Sequence, residues 1–146
     1  MENQVGKFLV ATGAIIENNS TGKILLLKRS KEKDFSPGIW EYITGRLHQF
    51  EEPEDGLRRE VMEEAGIEIE VIKPIHIFHI FRGERTAENE LIGIMYWCRT
   101  NAQDIKVSEE ALDYVWVSAE EALGMIPKPS MQDDIRAFMA EKSGKK

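Results

Sequence analysis

The run GRLHQFEEPEDGLRREVMEEAGI, residues 45–67, decides the fold. Pro53 to about Ala65 reads as a helix: Pro53 suits a first helical turn, and Gly66 suits the stop. At 100° per residue, Glu60, Glu63 and Glu64 fall within an arc of about 100°, while Leu57, Val61 and Ala65 occupy the adjoining face. One side of this helix therefore packs on a core, and the next presents carboxylates. A solvated acidic face is one reading, and charge alone does not exclude it. Two like charges about 6 Å apart repel by only about 0.7 kcal/mol in water and about 3 kcal/mol at an effective dielectric of 20. The other reading is a site for a hard divalent cation, with Arg59 to orient the acids.

Outward from this helix, residues 7–17 (KFLVATGAIIE) and 23–28 (KILLLK) read as strands joined by the turn-rich link Asn18–Gly22. Pro37-Gly38 marks a turn before a single short strand, IWEYI. Residues 67–81 alternate with β-branched side chains, interrupted by Pro74. Leu91–Arg99 reads as a strand buried on both faces, and Tyr114–Val117 as a short one. Ser118 caps a small helix. Ser130 caps a final helix reaching about Lys142, with Ile135, Phe138 and Met139 at helical spacing. Strands with interspersed helices predict a mixed sheet covered by helices.

The bulk numbers bound the partners. At 146 residues the chain is one domain by length, residues 1–146, and large enough for a real core. A net charge of −7 argues against duplex nucleic acid, which needs a basic face. A small phosphorylated ligand remains compatible, held by a metal and one or two local cations. Cys98 is the single cysteine, which excludes a disulfide framework and a cysteine-built zinc site. It sits beside Trp97 in an apolar strand, with no spacing that suggests a nucleophile. His76 and His79, three residues apart in one strand, point to opposite faces and read as core or surface positions. The N-terminus lacks the basic start and long apolar stretch of a signal peptide, and no apolar run approaches a bilayer span. The expected location is the cytoplasm, without a membrane partner.

Written as a pattern, residues 45–67 are G-x5-E-x7-R-E-V-x-E-E-x-G-I, built on Gly45, Glu51, Arg59, Glu60, Glu63, Glu64 and Gly66. With those seven residue types at about 7% usage each and two further positions, Val61 and Ile67, held apolar, such a pattern recurs by chance on the order of once in 10⁹ windows. It resembles the Nudix box of the Nudix (MutT-like) hydrolase superfamily at every fixed position. The flanks are similar too: Arg29 closing LLLKRS, Gly38-Ile39-Trp40-Glu41 ahead of the box, and Ser108-Glu109-Glu110 before Tyr114-Val115-Trp116. The resemblance spans roughly residues 8–125. It implies an α/β fold of the Nudix type, an α/β/α sandwich with a mixed central sheet. It also implies Mg²⁺-dependent hydrolysis, with Mn²⁺ as a substitute, of a nucleoside diphosphate linked to another group.

By the same resemblance, Glu60, Glu63 and Glu64 are the metal ligands, with Glu63 and Glu64 in the catalytic set. Arg59 pairs with Glu51, itself a further ligand or base, and Gly45 lets the backbone approach the metal. Glu110 is either an additional catalytic carboxylate or a solvated loop acid. Arg29 is a phosphate contact or an exposed strand-end cation; Trp40 and Tyr42 stack on a base or belong to the core. Two departures bear on the loop half of the motif. Ile43-Thr44 stands where relatives have Pro-Gly, and Phe50 where they have glycine. Because phenylalanine does not readily take positive φ, the loop holding Glu51 is expected to differ in shape. No subfamily mark identifies the substrate, and residues 30–42 and 81–110 are expected to set it. A non-hydrolytic nucleotide sensor on the same fold is the alternative, disfavoured by the intact carboxylates. The isopentenyl diphosphate isomerase branch needs an early cysteine in a histidine-rich context, which this chain lacks. Apolar, Trp-containing strands make a homodimer compatible.

Overall fold

The computed structural model describes residues 4–30 and 38–144. Seven strands form one mixed sheet: β1 (Leu9–Asn18), β2 (Ile24–Arg29), β3 (Trp40–Glu41), β4 (Ile43–Arg46), β5 (Glu70–Phe81), β6 (Glu90–Thr100) and β7 (Ala111–Val117). Among the described residues three α-helices accompany them: α1 (Pro53–Ala65), α2 (Ala119–Met125) and α3 (Pro129–Lys142). The main order is β3-β2-β1-β6-β5, with β4 on β1 and β7 on β2. Among the described residues only β1 and β6 run parallel, from Leu9↔Leu91 to Asn18↔Thr100. The other edge of β1 is divided: residues 11–14 pair with β4, and Glu17 pairs with Ile24 of β2.

Successive strand residues face opposite sides, so apolar runs signal a sheet covered twice. Ile16, Leu25 and Leu27 join Leu57, Val61 and Ala65 of α1 in one core. Their neighbours Ile15, Ile24 and Leu26 join Ala122, Ile135 and Phe138 of α2 and α3 in the other. This is the mixed sheet covered by helices expected from the residues, and the α/β/α sandwich that the resemblance implies. Among the described residues no helix is long and apolar enough to cross a membrane.

Most elements stand where the residues place them. Helix α1 starts at Pro53 and ends on Gly66, whose φ of 67° lets its N–H reach the Met62 carbonyl. Ser118 caps α2 in a reciprocal box with Glu121. Pro74 is tolerated because β5 lies at the sheet edge, between two register shifts.

Three local expectations need correction. The expected single strand IWEYI is two: β3 pairs with β2, and after Tyr42 the chain crosses to β1 as β4. Helix α3 is capped by Lys128 rather than Ser130, because Pro129, with φ preset and no N–H to satisfy, takes the first helical position. The last strand, β7, begins at Ala111, earlier than expected, because its partner β2 offers a ladder back to Arg29. Pro37 and the rest of residues 31–37 lie outside the described residues, while Gly38 stands at a φ of 76°.

Candidate active site

A cleft of about 290 Å³ opens between α1, β4, β5 and the start of α3. Two of the expected acids, Glu60 and Glu64, line it, as does Gly45 of β4. Gly45 faces Thr12 in the β1–β4 ladder. A Cβ on Gly45 would lie 2.0 Å from Cδ of Glu60, so this glycine is the space that Glu60 occupies. Burial raises the Glu60 carboxyl above the ordinary glutamate range, against the lowering effect of Arg59.

Arg59 organises the acids around it. Its Nε donates to Glu51 Oε2 at 2.8 Å and its Nη2 to Glu51 Oε1 at 3.0 Å, a two-pronged grip. The same guanidinium reaches Glu60 Oε1 at 2.9 Å, Glu63 Oε2 at 3.4 Å and the Arg46 carbonyl at 3.2 Å. The backbone N–H of His48 donates to Glu51 at 2.9 Å. Arg59, then the His48 amide, hold the Glu51 carboxyl down to about 2. Glu51 and Arg59 thus act behind the cleft and do not line it. Gly56 belongs to this arrangement: a Cβ there would come within 2.9 Å of Glu51 Oε1. A glycine inside an otherwise strong helix was the available sequence signal for such a close approach.

Phe50 corrects the expectation for this loop. It takes the left-handed conformation, φ 68°, that glycine adopts freely, and its side chain is 97% exposed. Glu51, the next residue, is held by Arg59 and the His48 N–H, and the phenylalanine bears a strain of about 1 kcal/mol.

Glu110, Arg29 and Tyr42 also line the cleft. The loop before β7 is drawn in by the Ser108 N–H on the Glu64 carbonyl and the Ser30 N–H on the Glu110 carbonyl. Arg29 Nη1 bonds Glu41 Oε1 at 2.6 Å. Tyr42 is buried, and its hydroxyl donates to Asp134. Two expected residues stand elsewhere. Glu63, with a 57% exposed side chain, points outward. Trp40 packs on the α2/α3 core with the Lys28 ammonium 6.0 Å from its ring centroid. His76 bonds Asp134, and His79 bonds Glu90. Cys98 is buried, its thiol pushed up to about 12 by burial.

The cleft also contains Glu41, from the segment ahead of the box, and three cations that no motif position announced: Arg46, Arg82 and Lys128. They arrive from β3, β4, the residue after β5 and the N-cap of α3, and only the fold assembles them. Among the described residues no three acidic, histidine or cysteine side chains converge closely enough to hold a metal. The side chains nevertheless suit one: Glu60 and Glu64 supply oxygen donors to one cleft, and Gly45 leaves room beside them.

A helix-covered mixed sheet, with glutamates and arginines sharing one cleft beside its central strand, defines an α/β/α enzyme class. The NUDIX domain model matches residues 7–141, and the chain belongs to the Nudix hydrolase family. Family members use divalent metal ions. The chain is 31% identical over 134 residues to a CTP pyrophosphohydrolase of Escherichia coli K12, covering 92% of this chain and 93% of that one. It is 32% identical over 113 residues to the nucleoside triphosphatase NudI of an Enterobacter species, covering 73% and 79%. The crystal structure of a MutT protein from Methanosarcina mazei superposes with a TM-score of 0.77 at 28% identity, covering 99% of this chain and 100% of that one.

Proposed function

We propose that this protein is a Mg²⁺-dependent pyrophosphohydrolase of nucleoside triphosphates, cleaving the diphosphate linkage by attack of water at phosphorus. The observation that carries this reading is the charge arrangement of the cleft: Glu60 and Glu64 share it with Arg29, Arg46, Arg82 and Lys128. Carboxylates alone would repel a triphosphate, and cations alone would bind it without activating water. Together they suit a metal-bound polyphosphate. The names of the two relatives, a CTP pyrophosphohydrolase and a nucleoside triphosphatase, support the same substrate class.

Glu60 and Glu64 would hold the metal, with Glu63 swinging in from the surface. When bound, a divalent cation neutralises phosphate charge and lowers the pKa of an attacking water. The chain's own groups do the rest. Arg29, Arg46, Arg82 and Lys128 bind phosphate oxygens and orient the chain of phosphates. Arg59 holds Glu51, Glu60 and the box loop in one geometry. Glu110, lining the same cleft, is the proposed acceptor of the water proton.

The test is a panel of nucleoside triphosphates, ADP-ribose, sugar nucleotides and dinucleoside polyphosphates with Mg²⁺ or Mn²⁺, products resolved by chromatography. Metal-dependent release of nucleoside monophosphate and pyrophosphate is expected from at least one triphosphate. Glu64→Gln should abolish it nearly completely while the circular dichroism spectrum is retained. No turnover of any triphosphate, or full activity in Glu64→Gln, refutes the reading.

A further inference from the structure

The start of β1 and the loop leading into α1 gather exposed apolar side chains outside the cleft. Val5 is 96% exposed, Phe8 42% and Phe50 97%. Phe8 and Phe50 border one open groove of about 560 Å³, lined also by Leu9, Val10 and Leu47. The Leu47 N–H bonds the Val10 carbonyl at 2.8 Å, so the groove lies where the β1–β4 ladder ends and the loop to α1 begins.

Phe50 stands out in this group. Among the described residues it alone, glycines apart, has a positive φ. Glycine would hold the same turn without steric penalty. A strained phenylalanine is usually repaid by packing of its ring, but this ring is almost wholly in solvent. Its own chain therefore gains little from it. A large apolar ring held in water beside an apolar groove marks a contact made outside the chain.

We propose that Phe50 anchors a weak twofold homodimer, the ring of each copy entering the groove of the other against Phe8, Val10 and Leu47. Ring and groove lie side by side on one surface, and a twofold axis passing between them makes both contacts at once. A partner of another kind would need only one of the two. The charges agree with a second copy. A net charge of −7 opposes self-association over most of the surface. At this end both signs meet, Lys7 and Arg46 beside Glu51 and Glu52, so two copies can set cations of one against acids of the other. An aromatic anchor in an apolar pocket with a charged rim has the anatomy of a protein interface. One ring and one shallow groove per copy make it small, with a dissociation constant of about 10–100 µM. The inference is independent of the hydrolytic reading.

Sedimentation velocity of the full chain from about 1 µM to about 1 mM tests the proposal. At the dilute end the monomer prevails and bears the loop strain unrelieved. At the concentrated end the mean mass of the wild-type protein should approach twice that of the monomer. Phe50→Gly, which removes the ring and suits the backbone, should stay monomeric throughout. Leu112→Ser, which removes an exposed apolar side chain on β7, should dimerise as the wild type does. Over the same range, amide NMR shifts of wild-type residues 8–10 and 46–51 should move with concentration. Wild-type protein that stays monomeric, undiminished dimerisation in Phe50→Gly, its loss in Leu112→Ser, or concentration-dependent shifts confined to other residues overturns the proposal.

Discussion

Gly45→Ala should separate folding from catalysis. Gly45 needs no positive φ, so alanine fits the backbone. The added methyl, however, would sit 2.0 Å from Glu60 Cδ and 2.4 Å from its Cγ and Oε1, nearer than a Cβ approaches any atom. Relief comes from the most flexible partner. The Glu60 side chain must retreat by more than about 1 Å, loosening its 2.9 Å bond to Arg59. Overpacking of this kind costs about 1–3 kcal/mol, and a movable glutamate end puts this case near 1. For a domain of this size that lowers Tm by about 2–4 °C. Turnover responds far more strongly, because an ångström of misplacement at a reacting centre costs about 10²-fold. Differential scanning calorimetry and steady-state kinetics with a cleaved triphosphate measure both quantities. A normal melt with kcat within twofold of wild type would show that Glu60 has no need of its observed position. Collapse of the fold would show that Glu60 cannot yield.

Phe50→Gly should raise Tm by about 2 °C in a thermal melt: relief of the left-handed strain slightly exceeds the backbone entropy of glycine. A fall in Tm would mean that the loop strain is absent. Glu17 is buried and accepts from Trp97 at 3.1 Å, Arg99 at 3.2 Å and Lys142 at 2.6 Å. Burial by itself raises its pKa, but the bonds from Lys142, Arg99 and Trp97 outweigh that and lower it. A depressed carboxyl pKa stabilises the fold above about 4.5, and the gain is lost as pH falls below that value. Glu17→Gln should therefore cost about 1–2 kcal/mol at pH 7, with half-exposed cations limiting the loss, and the two denaturation midpoints should draw together as pH falls below 4.5. A gap that stays constant as the solution is acidified until the wild-type protein unfolds would contradict this. Cys98, buried with its thiol held up at about 12, should resist a thiol reagent in native protein and react after denaturation. Rapid native labelling would show that β6 opens readily.

How much was legible in the residues follows from the range over which each feature is determined. Helix α1, its apolar stripe, its start at Pro53 and its stop at Gly66 depend on neighbours three or four positions away, so a single stretch specifies them. The alternating strands and the capping box at Ser118 are equally local. The box acids could be assigned by spacing and resemblance, yet spacing did not show that Glu60 and Glu64 enter the cleft while Glu63 faces out. That division depends on how α1 rests against β4 at Gly45. Nor could residue 50 alone disclose its φ, because Arg59 and His48 hold the loop from outside. The split of IWEYI reflects a competition between β2 and β1 for partners, settled by sheet pairing. Tyr42, His76 and Asp134 are the clearest case: 34 and 58 residues separate them along the chain. A buried carboxylate between a phenol and an imidazole leaves no periodic trace, because hydrogen bonds between distant elements carry no sequence period. Local spacing determined the acid-bearing helix and the class of fold; the packing of α3 on β5 decided what stands at the far end of the cleft.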